Sequence, residues 1–94
     1  MKNYETVEVT YRSLFTPGVT SVVAVIEFRC RSGKLIKLIA EWEGAGDSEI
    51  IVNALKDGKL MPNGWAEKNF KTAFSDVKQL VIDEMESHDI IYEG

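Results

Sequence analysis

From Thr6 to Phe15 the apolar residues Val7, Val9, Tyr11 and Phe15 alternate with Thr6, Glu8, Thr10 and Arg12. A period of two puts the two sets on opposite faces, so the pattern predicts a strand over 6–15 with one buried face. Thr16-Pro17-Gly18-Val19 reads as a type II turn, with proline and then glycine at its central positions. The β-branched and aromatic residues of 21–30 predict a second strand. Closing the turn on Thr16 and Val19 sets Val7 against Phe28, Val9 against Ile26 and Tyr11 against Ala24, apolar on apolar throughout.

Arg31-Ser32-Gly33 fits a three-residue hairpin loop with Gly33 in the left-handed position. It leads into a third strand over 34–43. Phe28 then faces Ile36, Ile26 faces Leu38, Ala24 faces Ala40 and Val22 faces Trp42. A two-residue turn would set Phe28 against Lys37 and is rejected for that reason. The prediction is a three-stranded antiparallel meander with the second strand in the middle. Its buried face carries Val7, Val9, Tyr11, Val22, Ala24, Ile26, Phe28, Ile36, Leu38 and Trp42.

Beyond Gly44-Ala45-Gly46 the spacing changes. Asp47 is placed to cap a short helix over 48–56, with Ile50, Ile51, Ala54 and Leu55 inward and Gly58 as the stop. A rival reading makes Glu49–Asn53 a strand and Asp57-Gly58 a hairpin turn. The clearest signal lies over 65–88, where Ala66, Phe70, Ala73, Phe74, Val77, Leu80, Val81 and Met85 recur at three- and four-residue steps. On a wheel at ~100° per residue all eight fall within about 80° of Val77. This predicts one long helix capped by Asn63 and laid on the meander. Ser75 offers an alternative start for a second segment, but the unbroken stripe favours a single helix. Ile90-Ile91-Tyr92 adds a short C-terminal strand or an apolar tail. The fold class is α+β, one domain over 1–94.

Composition narrows the class. The 45% hydrophobic content over 94 residues is that of a folded globule rather than a disordered chain. One cysteine, Cys30, excludes an intramolecular disulfide framework and a multi-cysteine metal site, and favours a reducing, cytoplasmic setting. The first residues carry no signal-peptide pattern, and no apolar run approaches the ~20 residues of a membrane span. Charge is uneven: residues 1–40 hold six basic and three acidic side chains, residues 41–94 five and twelve.

Candidate chemistry is thin. Glu84 and His88 stand one turn apart near the centre of the helical stripe, a pairing that builds a general base or, more simply, a capped helix end. Gly44-Ala45-Gly46 is a turn rather than a phosphate cradle, since it lacks a lysine and has Glu43, Asp47 and Glu49 around it. Ser75-Asp76-Val77-Lys78 has the spacing of an acyl-enzyme motif without its companions. Cys30 is expected to point inward as a small buried hydrophobe. No catalytic residue, metal ligand or cofactor follows.

Surfaces say more. On the outer sheet face Val23, Val25, Leu35 and Ile39 form an apolar island rimmed by charge, suited to a partner, to a second copy, or to cover by the chain's own 44–64 segment. At the acidic end of the long helix Asp76, Ile82, Asp83 and Glu86 point away from the core and suit a protein with a basic surface. Arg12, Arg29, Arg31, Lys34 and Lys37 collect near one hairpin and offer phosphate contacts, but the face has no aromatic stacking platform. The expectation is a non-catalytic protein-interaction module, such as an inhibitor, immunity-type or adaptor protein. A nucleic-acid accessory protein is the alternative, and an enzyme assembled from distant segments a lesser one.

Overall fold

The alternating segments do build an antiparallel meander, and it continues further than the pattern suggested. The computed structural model describes the backbone of residues 5–16, 19–44 and 49–92, and the side chains of 21–44 and 49–92. The strands are β1 (Glu5–Thr16), β2 (Val19–Arg29), β3 (Leu35–Trp42), β4 (Ile51–Lys56) and the two-residue β5 (Lys59–Leu60), hydrogen-bonded in that order. Two helices, α1 (Trp65–Asn69) and α2 (Lys71–Ser87), follow them.

The β2–β3 register is as expected in every pair, from Phe28 with Ile36 to Val22 with Trp42. Gly33 closes that hairpin at φ 88°, donating its N–H to the Cys30 carbonyl at 2.9 Å. Thr16 faces Val19, Tyr11 faces Ala24 and Val9 faces Ile26. At the far end a register shift between Thr6 and Glu8 brings Thr6, not Val7, opposite Phe28. The Pro17-Gly18 turn, the proposed Asp47 cap, Ala45-Gly46 and the side chains of Val7, Val9 and Tyr11 lie outside the described residues. Because β3 starts to pair only at Val22, the three β1–β2 pairs from Leu14–Ser21 to Thr16–Val19 run on past it. The molecule is correspondingly elongated, 44 × 22 × 22 Å.

The helix expected over 48–56 does not form. Residues 51–56 are instead β4, paired to β3 with Leu38 opposite Ala54 and Ala40 opposite Val52. Two physical facts decide against the helix. Ile50, Ile51 and Val52 are a β-branched run, which suits a pleated surface better than a helix. Asp57 and Gly58 take φ 50° and 82°, the pair of left-handed residues that a two-residue type I′ hairpin requires. Asp57 also accepts a hydrogen bond from the Leu35 amide at 2.9 Å, tying the turn to the start of β3.

The long helix is also corrected: it is two helices, broken at Phe70 (φ −136°, ψ 61°). Phe70 N–H still reaches the Ala66 carbonyl at 2.7 Å and closes α1, and its own carbonyl accepts the Phe74 N–H at 2.9 Å at the start of α2. The Asn69 side chain donates to the Trp65 carbonyl at 2.8 Å in the last turn of α1. The Phe70 ring is held edge-on between Phe28 and Trp65, at 5.2 and 5.5 Å. The apolar stripe survives the break because Ala66 and Phe70 still face the sheet. Ala66, Ala73, Val77, Val81 and Met85 join Val22, Ala24, Ile26, Phe28, Ile36, Leu38, Ala40 and Trp42 in one core. Ile50 and Ala54 enlarge it.

At the other end α2 stops in a Schellman motif. Ile90 N–H reaches the Met85 carbonyl at 2.9 Å, Asp89 N–H reaches Glu86 at 3.0 Å, and Asp89 takes φ 62°. No strand follows over 90–92. Ile90 and Tyr92 pack down on the core, and Tyr92 Oη accepts the Ile50 amide hydrogen at 3.2 Å. The tail therefore closes over the start of β4.

Candidate interaction surfaces

Both helices lie on one side of the sheet, with α2 over β2 and β3. The island residues Val23, Val25, Leu35 and Ile39 are half-buried on the other side, as their register positions require. Because 51–56 is a strand, it cannot fold over them as a helix would have done. It widens the island instead. Ile51 sits opposite Glu41 and Leu55 opposite both Lys37 and Leu60, all on the outer face. Ile51 is 52% exposed and Leu60 65%. Among the described residues no element packs over this face. Helical spacing over 48–56 hides Ile51 and Leu55, and Leu60 falls in what reads as a loop over 59–64; the Asp57-Gly58 pair is the signal that finds all three.

The rim is mixed. Glu27 stands beside Lys37 and, across β1, opposite Glu8; Glu41 is exposed next to Ile51. Of the cations expected to form a phosphate-binding hairpin, Arg29 donates to the Gly33 carbonyl at 2.9 Å and Lys34 pairs with Asp57 at 3.6 Å. Arg31 is exposed, Lys37 half-buried, and the Arg12 side chain lies outside the described residues. The Leu35 amide hydrogen bond holds the Asp57 carboxyl below its usual range, with the Lys34 charge adding to it.

The acidic helix end is less uniform than expected. Asp83 and Glu86 are exposed, and Asp83 accepts a hydrogen bond from Gln79 at 2.8 Å. Asp76 is half-buried, and Ile82 packs against the edge of the core rather than standing free. Ile82 and Phe74 line a cleft of about 440 Å³ along the flank of α1 and α2, together with Lys71 and Lys78. Lys78 Nζ lies 5.6 Å from the Phe74 ring centroid, within cation–π range.

Glu84 and His88 do meet, with Nε2 3.3 Å from Oε1. Glu84 is mostly shielded and His88 is the residue on which α2 ends. The arrangement ties a turn of helix to its own terminus. Cys30 is half-buried rather than buried. Its thiol lies 3.1 Å from Ser32 Oγ and 3.3 Å from the Lys34 carbonyl. The Ser32 contact lowers its pKa, against a smaller opposing effect of partial burial. Among the described residues no three His, Cys, Asp or Glu side chains gather as a metal site, and no helix is long and apolar enough to cross a membrane. The chain matches no family model, no curated protein and no solved structure.

Proposed function

We propose that this protein is a non-catalytic interaction module that docks a partner protein on the outer face of its sheet, in the manner of a small inhibitor, immunity-type or adaptor protein of the cytoplasm. One observation carries the reading. Val23, Val25, Leu35 and Ile39 share the outer face with Ile51, Leu55 and Leu60, interspersed with Glu41, Asn53 and Lys37, and Ile51 and Leu60 are more than half exposed. Five strands ~4.8 Å apart and about eight residues long make a face of roughly 600 Å², close to one side of a standard protein interface. Folding does not require that surface to be apolar, since the core lies on the opposite side. Exposed Glu41 beside Ile51 favours a partner with a basic rim there, while Asp83 and Glu86, on the helix side, would serve only a separate contact.

The test is affinity capture from cells that produce the protein, comparing wild type with Val25→Lys and Ile39→Lys. Capture of the same partner should fall about tenfold or more, because a charge placed centrally in an apolar contact costs about 1.4 kcal/mol or more of affinity. Circular dichroism should show both variants still folded. Undiminished capture by both would overturn the reading. Asp83→Lys/Glu86→Lys separates the acidic helix end, which is expected to contribute less.

A further inference from the structure

The open edge of β1 is a second surface, and its sequence is complementary to itself. At twelve residues β1 is twice the usual strand length, and among the described residues nothing lies on its far side. Cys30 N–H bonds the Lys34 carbonyl at 3.0 Å, which fixes the phase of the β2 ladder. Even-numbered residues of β2 bond to β3 and odd-numbered ones to β1. Glu8, Thr10 and Arg12, opposite Glu27, Val25 and Val23, therefore spend their backbone groups on β2. Val9, Tyr11, Ser13 and Phe15 direct theirs to the open edge. α2 sits over β2 and β3 and only grazes β1, so it leaves the edge clear.

A long strand with an unpaired row of donors and acceptors is a template for another strand. We infer that the occupant is the β1 of a second copy of this chain, paired antiparallel about a two-fold axis at Thr10, joining the two sheets into one. The register follows from charge. Outward backbone groups must meet outward groups, which allows only alternate alignments. Centring on Thr10 sets Glu8 opposite Arg12 of the second copy, twice by symmetry, with Thr10 facing Thr10 and Val9 facing Tyr11. Sliding by two residues faces the charged residues with threonine or leucine; sliding by four faces Glu8 with Glu8 or Arg12 with Arg12. Within this stretch no other alignment pairs opposite charges.

Glu8 supplies an independent argument. Within one chain it faces Glu27 across the ladder, a like-charge pair that disfavours the sheet. In the dimer the continued row of register positions becomes Arg12, Glu8, Glu27, Lys37, so that each acidic position has a basic one beside it. Glu8 and Arg12 also fall at the non-hydrogen-bonded positions of the new ladder, where facing residues approach most closely. This dimer uses the sheet edge and leaves the outer face open, so it stands or falls separately from the docking surface above.

Sedimentation equilibrium of the full chain over a range of concentrations provides the test. Wild type should be dimeric at about 100 μM, a weak-to-moderate association. Glu8→Arg and Arg12→Glu should each weaken the dimer about tenfold, since each converts two attractive facings into repulsive ones. Combining them restores opposite charges at the same positions and should bring the dissociation constant back to within about threefold of wild type. Tyr11→Pro should abolish the dimer while sparing the fold, because the amide it removes faces the open edge and bonds nothing among the described residues. Ile39→Lys should leave the dimer unchanged. A wild-type monomer at that concentration, whether or not the edge takes up a foreign extended peptide, would overturn the proposal. So would a double variant as weak as either single one.

Discussion

The two faces of this sheet are built from the same three or four strands, yet they differ in what their apolar residues are for. On the helix side Val22, Ala24, Ile26 and Phe28 of β2 and Ile36, Leu38, Ala40 and Trp42 of β3 are all buried, and α2 supplies Ala73, Val77, Val81 and Met85 to fill against them. On the outer side valine and isoleucine again occupy the middle strands, but the elements that could have covered them went elsewhere. The helices went to the inner face, and 51–56 joined the sheet. Alternating strands ordinarily read apolar-in and polar-out. Here the outer centre is apolar too, and that departure, more than any residue cluster, sets the chain apart from a plain two-layer domain.

The contrast between the faces breaks first, and hardest, at Phe28. It is fully buried, stacked edge-on with Phe70 at 5.2 Å, and it belongs to the contact that seats the α1–α2 junction. Phe28→Ala should cost about 3–5 kcal/mol, against a total stability of roughly 5–14 kcal/mol for a domain of this size. Urea denaturation is the measurement. A loss under about 1 kcal/mol would mean the helix layer is not seated as described.

Next in size is the β4–β5 hairpin, the device that extends the sheet. Gly58 sits at φ 82° with nothing within 4 Å of where a Cβ would lie, so Gly58→Ala meets only backbone strain. The expected cost is about 1–2 kcal/mol. A neutral result would argue that the turn is not the left-handed pair on which β4 depends.

Asp57 in the same turn gives a pH test. The Leu35 amide bond, with Lys34 nearby, keeps its folded-state pKa below the unfolded value. A depressed carboxyl stabilises the fold above the unfolded pKa, and that contribution disappears as pH falls through the folded pKa. Asp57→Asn keeps the turn conformation and removes the charge. The variant should therefore lose a small amount of stability near neutrality and converge with wild type in acid. Melting temperatures from pH 7 down to about 2 would show it; parallel curves would sink the assignment.

How far the sequence reached depends on whether one local signal spoke alone. In the β2–β3 hairpin, alternation, loop length and glycine position agreed, and every pair formed as expected. Over 51–56 two signals competed. Ile50, Ile51, Ala54 and Leu55 satisfy a helical spacing, while the β-branched run and Asp57-Gly58 satisfy a hairpin. The free edge of β3, which no local pattern contains, decided it. Phe70 failed differently. Its place in the stripe was legible, but the non-helical backbone there accompanies ring contacts with Phe28 and Trp65, the first of which no local spacing contains. The same competition over 51–56 explains why the outer patch was legible only in part. Val23, Val25, Leu35 and Ile39 came from a register that was right, whereas Ile51 and Leu55 belong to a strand that a helical spacing conceals and Leu60 to a two-residue strand that reads as loop.

The smallest expected effect is the one that sharpens the contrast most. Ile39 lies at the centre of the outer island, between Val25 and Asn53, at a position whose inner-face neighbours Leu38 and Ala40 are completely buried. Ile39→Thr keeps the β-branch and the strand propensity, exchanging one ethyl arm for a hydroxyl. If the outer face is solvent-facing in the free chain, the hydroxyl stays hydrated and stability should change by less than about 0.5 kcal/mol. The same substitution at Ile36 on the inner face should cost several times more, because there the hydroxyl is buried without a ready partner. Equal losses at the two positions, read from urea midpoints under the same conditions, would mean the outer face is covered in the free protein, and the distinction between its two sides would go.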